Sequence, residues 1–125
     1  MSDRIQFSST NRNVPAVDLG QALLQGQTAD RGLFMPDRYP AFSREELAGL
    51  QDRSYPEVAF EVLRRFTGGV IDASRLESLC DDAYDYEVPL EHVEGRKHLM
   101  RLDRGPTASF KDFAARMMAR WMGVL

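Results

Sequence analysis

The sequence holds a single cysteine, Cys80, among 125 residues. No internal disulfide can form, and the chain fits a reducing compartment. It has no apolar run near the roughly 18–20 residues that a membrane span needs. It has no basic excess either, with 16 Lys and Arg against 19 Asp and Glu and a formal charge of −3. Nucleic-acid binders normally carry a basic stripe, so that class is excluded. Internal repeats and low-complexity segments are absent. The opening Met1–Phe7 is polar, with Asp3 and Arg4, and lacks the apolar core of a secretory leader. What remains is ordinary: 43% hydrophobic and 28% charged residues, in a length that supports one modest core. The expectation is a cytoplasmic protein with no nucleic-acid or membrane partner.

Helix start signals are the strongest feature of the middle of the chain. Asp18 with Gln21 forms a capping pattern, and Gly26 is placed to end that helix. Ser43 with Glu46 is a second, with Phe42 set to staple onto Leu47. Ser54 with Glu57 is a third, and Pro56 is tolerated in a first turn whose N–H groups have no intrahelical partner. The apolar face expected there is Val58, Ala59, Val62, Leu63 and Phe66, ended by Gly68-Gly69. Ile71-Asp72 opens a fourth helix with the stripe Leu76, Leu79, Cys80 and Ala83. Its acidic sequel Asp81–Asp85 reads as a solvated end; no metal site is expected, because Gly-spaced ligands are missing.

The flanks read differently. Arg4–Ser9 alternates Ile5 and Phe7 with polar neighbours, a strand pattern. Val88–Val93 and Arg96–Leu102 read as a hairpin around Glu94-Gly95. Asp30–Pro36 reads as a turn and an apolar hook, a loop pinned to the core. In the last helix, Phe110, Phe113, Ala114, Met117, Met118 and Trp121 recur at helical spacing, with Ser109 and Asp112 as an expected capping box. The end, Trp121–Leu125, is apolar. This points to a sequence that continues, although a helix docked on a core would end in the same way.

Lys111 is expected as the second residue of that helix, behind Gly105-Pro106-Thr107-Ala108-Ser109. The positive end of a helix disfavours a second positive charge, and burial between Phe110 and Phe113 would favour the neutral amine further. A neutral lysine amine attacks carbonyls and forms a Schiff base. A lysine beside an aspartate at a helix start is also a common surface pattern, so spacing alone names no cofactor. His92 and His98 sit in strand-like segments beside charged residues and read as surface groups. Cys80 reads as a small core residue.

Gly105-Pro106-Thr107-Ala108-Ser109-Phe110-Lys111-Asp112-Phe113 resembles the lysine segment of the threonine synthase family, Gly-Pro-Thr-x-(Ala/Ser)-Phe-Lys-Asp. Ser8–Arg12 is similar to the family's opening strand and Ser-Thr turn. Asp30–Pro36 is similar to its Asp-x-Gly-Leu-(Phe/Tyr)-x-Pro loop. Ser54-Tyr55 through Phe66, with the pair Ala59-Phe60, resembles its helix that begins Ser-Tyr. The departure is Asp103-Arg104, where the family often carries Phe-His; a role borrowed from that histidine has no basis here. Arg104 could hold an anionic substrate instead, or be a solvent-facing strand end paired with Asp103.

The resemblance implies an α/β chain with α+β character. A mostly helical N-terminal domain with short strands, residues 1–93, would precede the start of a tryptophan-synthase-β-like (fold type II) pyridoxal-phosphate domain, residues 94–125. It implies that Lys111 holds pyridoxal phosphate and later moves protons at the substrate carbons. Thr107 and Ser109 would contact cofactor or substrate, although Ser109 reads first as a plain N-cap, and Asp112 would be a cap residue. The implied reaction converts O-phospho-L-homoserine and water to L-threonine and phosphate. The family's loops for the substrate carboxylate and cofactor phosphate, and its partner for the pyridine nitrogen, have no counterpart in these residues, so the remainder of the catalytic domain is an expected partner. Two alternatives stay open: a threonine-synthase-like phospho-lyase, and a non-catalytic interaction domain.

Overall fold

The computed structural model describes residues 4–125. Met1–Asp3, and with them part of the polar opening, lie outside the described residues. The first strand, β1 (Phe7–Ser9), pairs antiparallel with β2 (Phe34–Pro36), with Ser8 opposite Met35. Alternation sends Ile5, Phe7 and Ser9 inward, at 5, 8 and 2% exposure. The segment Asp30–Pro36 was expected as a pinned loop; its second half is a strand instead. Period-two alternation explains the change: Phe34 packs on the core, while Leu33 and Met35 face outward.

Asp30 makes this pairing possible. Its Oδ1 accepts hydrogen bonds from the hydroxyls of Ser9 and Thr28 and from the Gly32 amide, and its Oδ2 accepts from the Asn13 amide at 3.0 Å. These donors, Thr28 first and Ser9 second, hold its carboxyl far below the usual carboxylate range. A Cβ at Gly32 would overlap the Ser9 hydroxyl, so the close approach needs glycine.

Four helices follow the cap signals. The first, α1 (Leu19–Gln25), has the reciprocal Asp18–Gln21 box and ends at Gly26, whose φ of 71° suits glycine. The short α2 (Arg44–Ala48) is capped by Ser43 and Glu46. Phe42 lies under the Arg65 guanidinium, 3.8 Å from ring centre to carbon, and Leu47, its expected staple partner, is largely exposed. In α3 (Tyr55–Thr67), the Glu57 carboxylate accepts from the Ser54 amide at 2.8 Å and hydroxyl at 2.6 Å. Its inward face is Tyr55, Ala59, Phe60, Leu63 and Phe66, while Val62 is exposed. The helix is turned so that its large rings, which bury more area than a valine, meet the core.

Next, α4 (Ala73–Ala83) buries Leu76, Leu79, Cys80 and Ala83, as its stripe predicts. Leu76 and Ala83 are fully buried. Desolvation pushes the Cys80 thiol up to about 11, so it is an apolar filler and not a reactive thiol. The hairpin β3 (Leu90–Glu94) and β4 (Lys97–Met100) turns at Gly95, with φ of 57°, and slips register between His92 and Glu94. His92 and His98 face each other across it, ring centres 5.4 Å apart, and both are exposed.

The last helix, α5 (Asp112–Met122), begins later than its periodicity predicts. Phe110 lies outside the helix and is 65% exposed; Met118 is also exposed. The buried seam narrows to Met117 and Trp121, with Phe113 partly buried, an i, i+4, i+8 line against α4 and α1. The acidic end of α4 is the docking strip for this helix. Arg120 Nε reaches Asp82 at 2.6 Å and Arg116 reaches Asp85 at 2.9 Å. Both arginines also donate to the Asp82 carbonyl at 3.0 Å. Arg120, bonded to the Asp82 side chain, holds that carboxyl below its ordinary value.

Candidate functional site

The site grows from the junction between the helical block and α5. Tyr55, Tyr84, Tyr86 and Phe113 form one aromatic cluster. Tyr55 meets Tyr84 and Phe113 edge-on at 5.2 and 5.6 Å, and Tyr86 meets Phe113 at 5.5 Å. Such edge-on pairs add about 0.5–1.5 kcal/mol beyond area burial. Tyr84 Oη donates to the Phe113 carbonyl at 2.9 Å, and burial drives its phenol well above the ordinary value. Phe113 stands two residues after Lys111, so the cluster fixes the position from which Lys111 projects.

Between Gly105 and Asp112 the chain coils into consecutive tight turns. Ala108 N donates to Gly105 O at 3.0 Å, and Asp112 N donates to Ser109 O at 3.0 Å. The expected Ser109–Asp112 capping box does not form. Asp112 turns back instead: its Oδ2 accepts from the Thr107 amide at 2.9 Å and its Oδ1 from the Thr107 hydroxyl at 2.8 Å. Ser109 Oγ accepts from the Lys111 amide at 3.3 Å. The capping signal was misassigned because two acceptors, Ser109 and Asp112, compete for the same short stretch of amides, and the carboxylate binds the hydroxyl as well.

Asp112 is 5% exposed although Phe110 and Lys111 beside it are exposed. Lys111 occupies the N-cap position of α5, two places before the second helical position expected for it. The enclosure foreseen between Phe110 and Phe113 is not built by these residues: Phe113 turns inward to the cluster and Phe110 turns out. The lysine stands on open surface at the positive end of an 11-residue helix.

The other predicted residues divide. Thr107, Ser109 and Lys111 share the one coiled loop. Arg104 precedes it and is exposed. The pairing of Arg104 with Asp103 is not found. Asp103 takes a bidentate bond from Arg101 at 2.8 and 2.7 Å, which holds its carboxyl at about 2, and Arg101 also reaches Glu91 at 2.6 Å. Sequence reasoning missed Tyr84 and Tyr86 as supports of the loop. The signal was present in Tyr84-Asp85-Tyr86, an aromatic pair directly after a buried helix.

Comparison with known proteins agrees with this geometry. The family described as "Threonine synthase N terminus" matches residues 6–84. The chain is 33% identical over 121 residues to threonine synthase of Pseudomonas aeruginosa, covering 93% of this chain and 26% of that protein. Among solved structures, pyridoxal-phosphate-bound threonine synthase of Brucella melitensis superposes with a TM-score of 0.90 at 36% identity, covering 94% of this chain and 26% of that one. Threonine synthase of Escherichia coli superposes with a TM-score of 0.87 at 29% identity, covering 94% and 27%. The chain thus spans about a quarter of the length of these relatives. Both matched structures carry the same mixed arrangement of helices and short strands, and this chain belongs to the family of threonine synthase N-terminal sequences.

Proposed function

We propose that this chain is the N-terminal part of a threonine synthase, a pyridoxal-phosphate lyase that converts O-phospho-L-homoserine and water to L-threonine and phosphate. The observation that carries the reading is the Gly105–Asp112 loop, which coils around Asp112 and leaves Lys111 exposed at the entrance of α5. The residues present fit the cofactor as an anchor. An exposed primary amine on a fixed backbone is what attachment to an aldehyde needs. When bound, pyridoxal phosphate supplies the electron sink for carbanion formation and for loss of phosphate from the substrate γ-carbon. Lys111 Nζ would be the attachment point, and its free amine would move protons at the substrate carbons. The Ser109 hydroxyl, which accepts from the Lys111 amide at 3.3 Å, is the polar contact proposed for cofactor or substrate, and the exposed Arg104 guanidinium is the group proposed to meet an anionic one.

The rest of the site is proposed to come from the remainder of the polypeptide in the complete enzyme, which is cytoplasmic in this reading. Residues 1–93 form the accessory domain and residues 94–125 begin the catalytic one. The apolar side chains Leu90, Val93, Leu99 and Phe110, all at least half exposed, flank the Lys111 loop in sequence and supply the face that the remainder covers. These 125 residues hold no counterpart of the family's loops for the substrate carboxylate and the cofactor phosphate, and no turnover is expected of them alone.

The test is threonine and phosphate formation from O-phospho-L-homoserine by the complete enzyme and by its Lys111→Ala variant. Activity in the first and loss of at least about a thousandfold in the second support the proposal, a loss of the size seen when one catalytic donor is deleted. Release of a keto acid in place of threonine would replace the reaction by that of a phospho-lyase.

A further inference from the structure

We propose that Asp112 and Thr107 act together as a latch that positions Lys111, with Thr107 serving as a positioning residue rather than as a donor to the cofactor. This rests on the assignment of Lys111 as the attachment lysine. Three observations on the loop converge. First, both carboxylate oxygens of Asp112 are engaged by one residue, Thr107, through its amide at 2.9 Å and its hydroxyl at 2.8 Å. The two bonds close a ring across Ala108, Ser109, Phe110 and Lys111. Second, Gly105 lies so close that a Cβ there would overlap the Asp112 carboxylate, so the chain folds directly against the latch. Third, Ala108, the first residue of the ring after Thr107, has a φ of 54°. A non-glycine residue in this left-handed region costs about 1–2 kcal/mol and persists only where its surroundings over-determine it.

The chemistry separates this arrangement from an ordinary helix cap. A cap carboxylate bonds amides of the helix it starts, whereas Asp112 is itself the first helical residue and reaches backward, out of the helix. A hydroxyl has one proton, and the Thr107 proton is committed to Asp112, which leaves only its lone pairs to face a ligand. The bonds are charge-assisted and mostly withdrawn from water, since Asp112 is buried. Its negative charge also reaches the Tyr86 phenol, which burial first and Asp112 second push upward. Phe113, the residue after Asp112, packs on Tyr55 and Tyr86 and so joins the lysine loop to the aromatic cluster that ends the helical block. Lys111 keeps its backbone place through the latch on one side and through its carbonyl, bonded to Ala115 N at 2.8 Å, on the other.

The experiment compares Asp112→Ala, Thr107→Val, Thr107→Ser and Lys111→Ala in the complete enzyme. Measured are kcat, cofactor covalently fixed at Lys111 after borohydride reduction, the pH profile of the bound-cofactor absorbance, and the melting temperature without cofactor. Loss of the latch misplaces the lysine, and a misplacement near 1 Å costs about a hundredfold in rate. Thr107→Val is therefore expected to lower kcat by about 10- to 100-fold and to move the absorbance pH profile, with Thr107→Ser restoring both. Asp112→Ala is expected to do at least as much; if it fails to fold, the Thr107 pair decides. A fall in melting temperature with kcat and the absorbance profile unchanged in Thr107→Val would overturn the latch. Unchanged cofactor attachment in Lys111→Ala would overturn the assignment of the lysine instead, so the two failures are distinguishable.

Discussion

At the residue scale, aspartates placed to accept several hydrogen bonds shape this chain. Asp30 is the clearest case. Thr28, Ser9 and the amides of Asn13 and Gly32 all donate to its carboxylate, which depresses its folded-state value below the roughly 3.9 of an unfolded chain. A depressed carboxylate contributes stability that is present above about pH 4 and is lost as pH falls toward the folded value. Asp30→Asn is accordingly expected to lower the melting temperature at pH 7 and to flatten its decline below pH 4. An unchanged melting temperature at pH 7 would remove Asp30 from this role. Asp30 was read from the sequence as part of a turn, because Asp and Gly at that spacing favour one. Its hydroxyl partners Ser9 and Thr28 were not legible, since bonds spanning 21 and 2 residues leave no periodic trace.

At the element scale, local signals and tertiary signals had different fates. The caps at Asp18, Ser43 and Ser54 and the stripe of α4 were legible because each is written within a few adjacent residues. The rotation of α3 was not, because Val62 and Phe60 are both apolar and only the facing surface of α4 decides between them. The start of α5 was misplaced for a related reason: Asp112 found a partner behind the helix that helical periodicity does not encode. The acidic 81–85 stretch was read as solvated, and Asp82 and Asp85 are largely exposed; their pairing with Arg116 and Arg120, spaced i, i+4 on α5, was not legible. Packing dominates this contact. Leu76, with no exposed surface, is expected to cost about 2–5 kcal/mol when changed to Ala. Asp82→Asn, at an exposed pair screened by solvent, is expected to shift a urea midpoint far less. Equal shifts for the two would show that the surface charge pairs contribute as much as burial of Leu76 in the core.

At the scale of the whole molecule, the described residues share one core that joins the N-terminal strands, α1, α3, α4 and α5, and leave further apolar side chains outside it. Leu90, Val93, Leu99, Met100, Phe110, Met118 and Met122 are exposed large apolar residues, more than isolated surface exceptions would supply. The 125 residues in isolation are expected to bind a hydrophobic dye such as ANS in the folded state. The complete enzyme is expected to bind much less per molecule if, as proposed, its remainder covers the hairpin. Equal dye binding would mean that the hairpin face stays open. The family was legible in the sequence through four separated motifs in order, and its lysine segment supplied Lys111 by position. The environment of Lys111 was not legible, because of the two rings expected to enclose it Phe113 turns into the aromatic cluster and Phe110 turns out, a choice that their spacing does not encode.

The central claim is that Lys111 is the attachment point of the cofactor. Borohydride reduction of the complete enzyme loaded with pyridoxal phosphate, followed by digestion and mass spectrometry, addresses it directly. The modification is expected on the peptide containing Lys111, at close to one per chain, and should vanish from that position in Lys111→Ala. Stoichiometric modification of a different lysine, with the Lys111 peptide unmodified, would contradict the account.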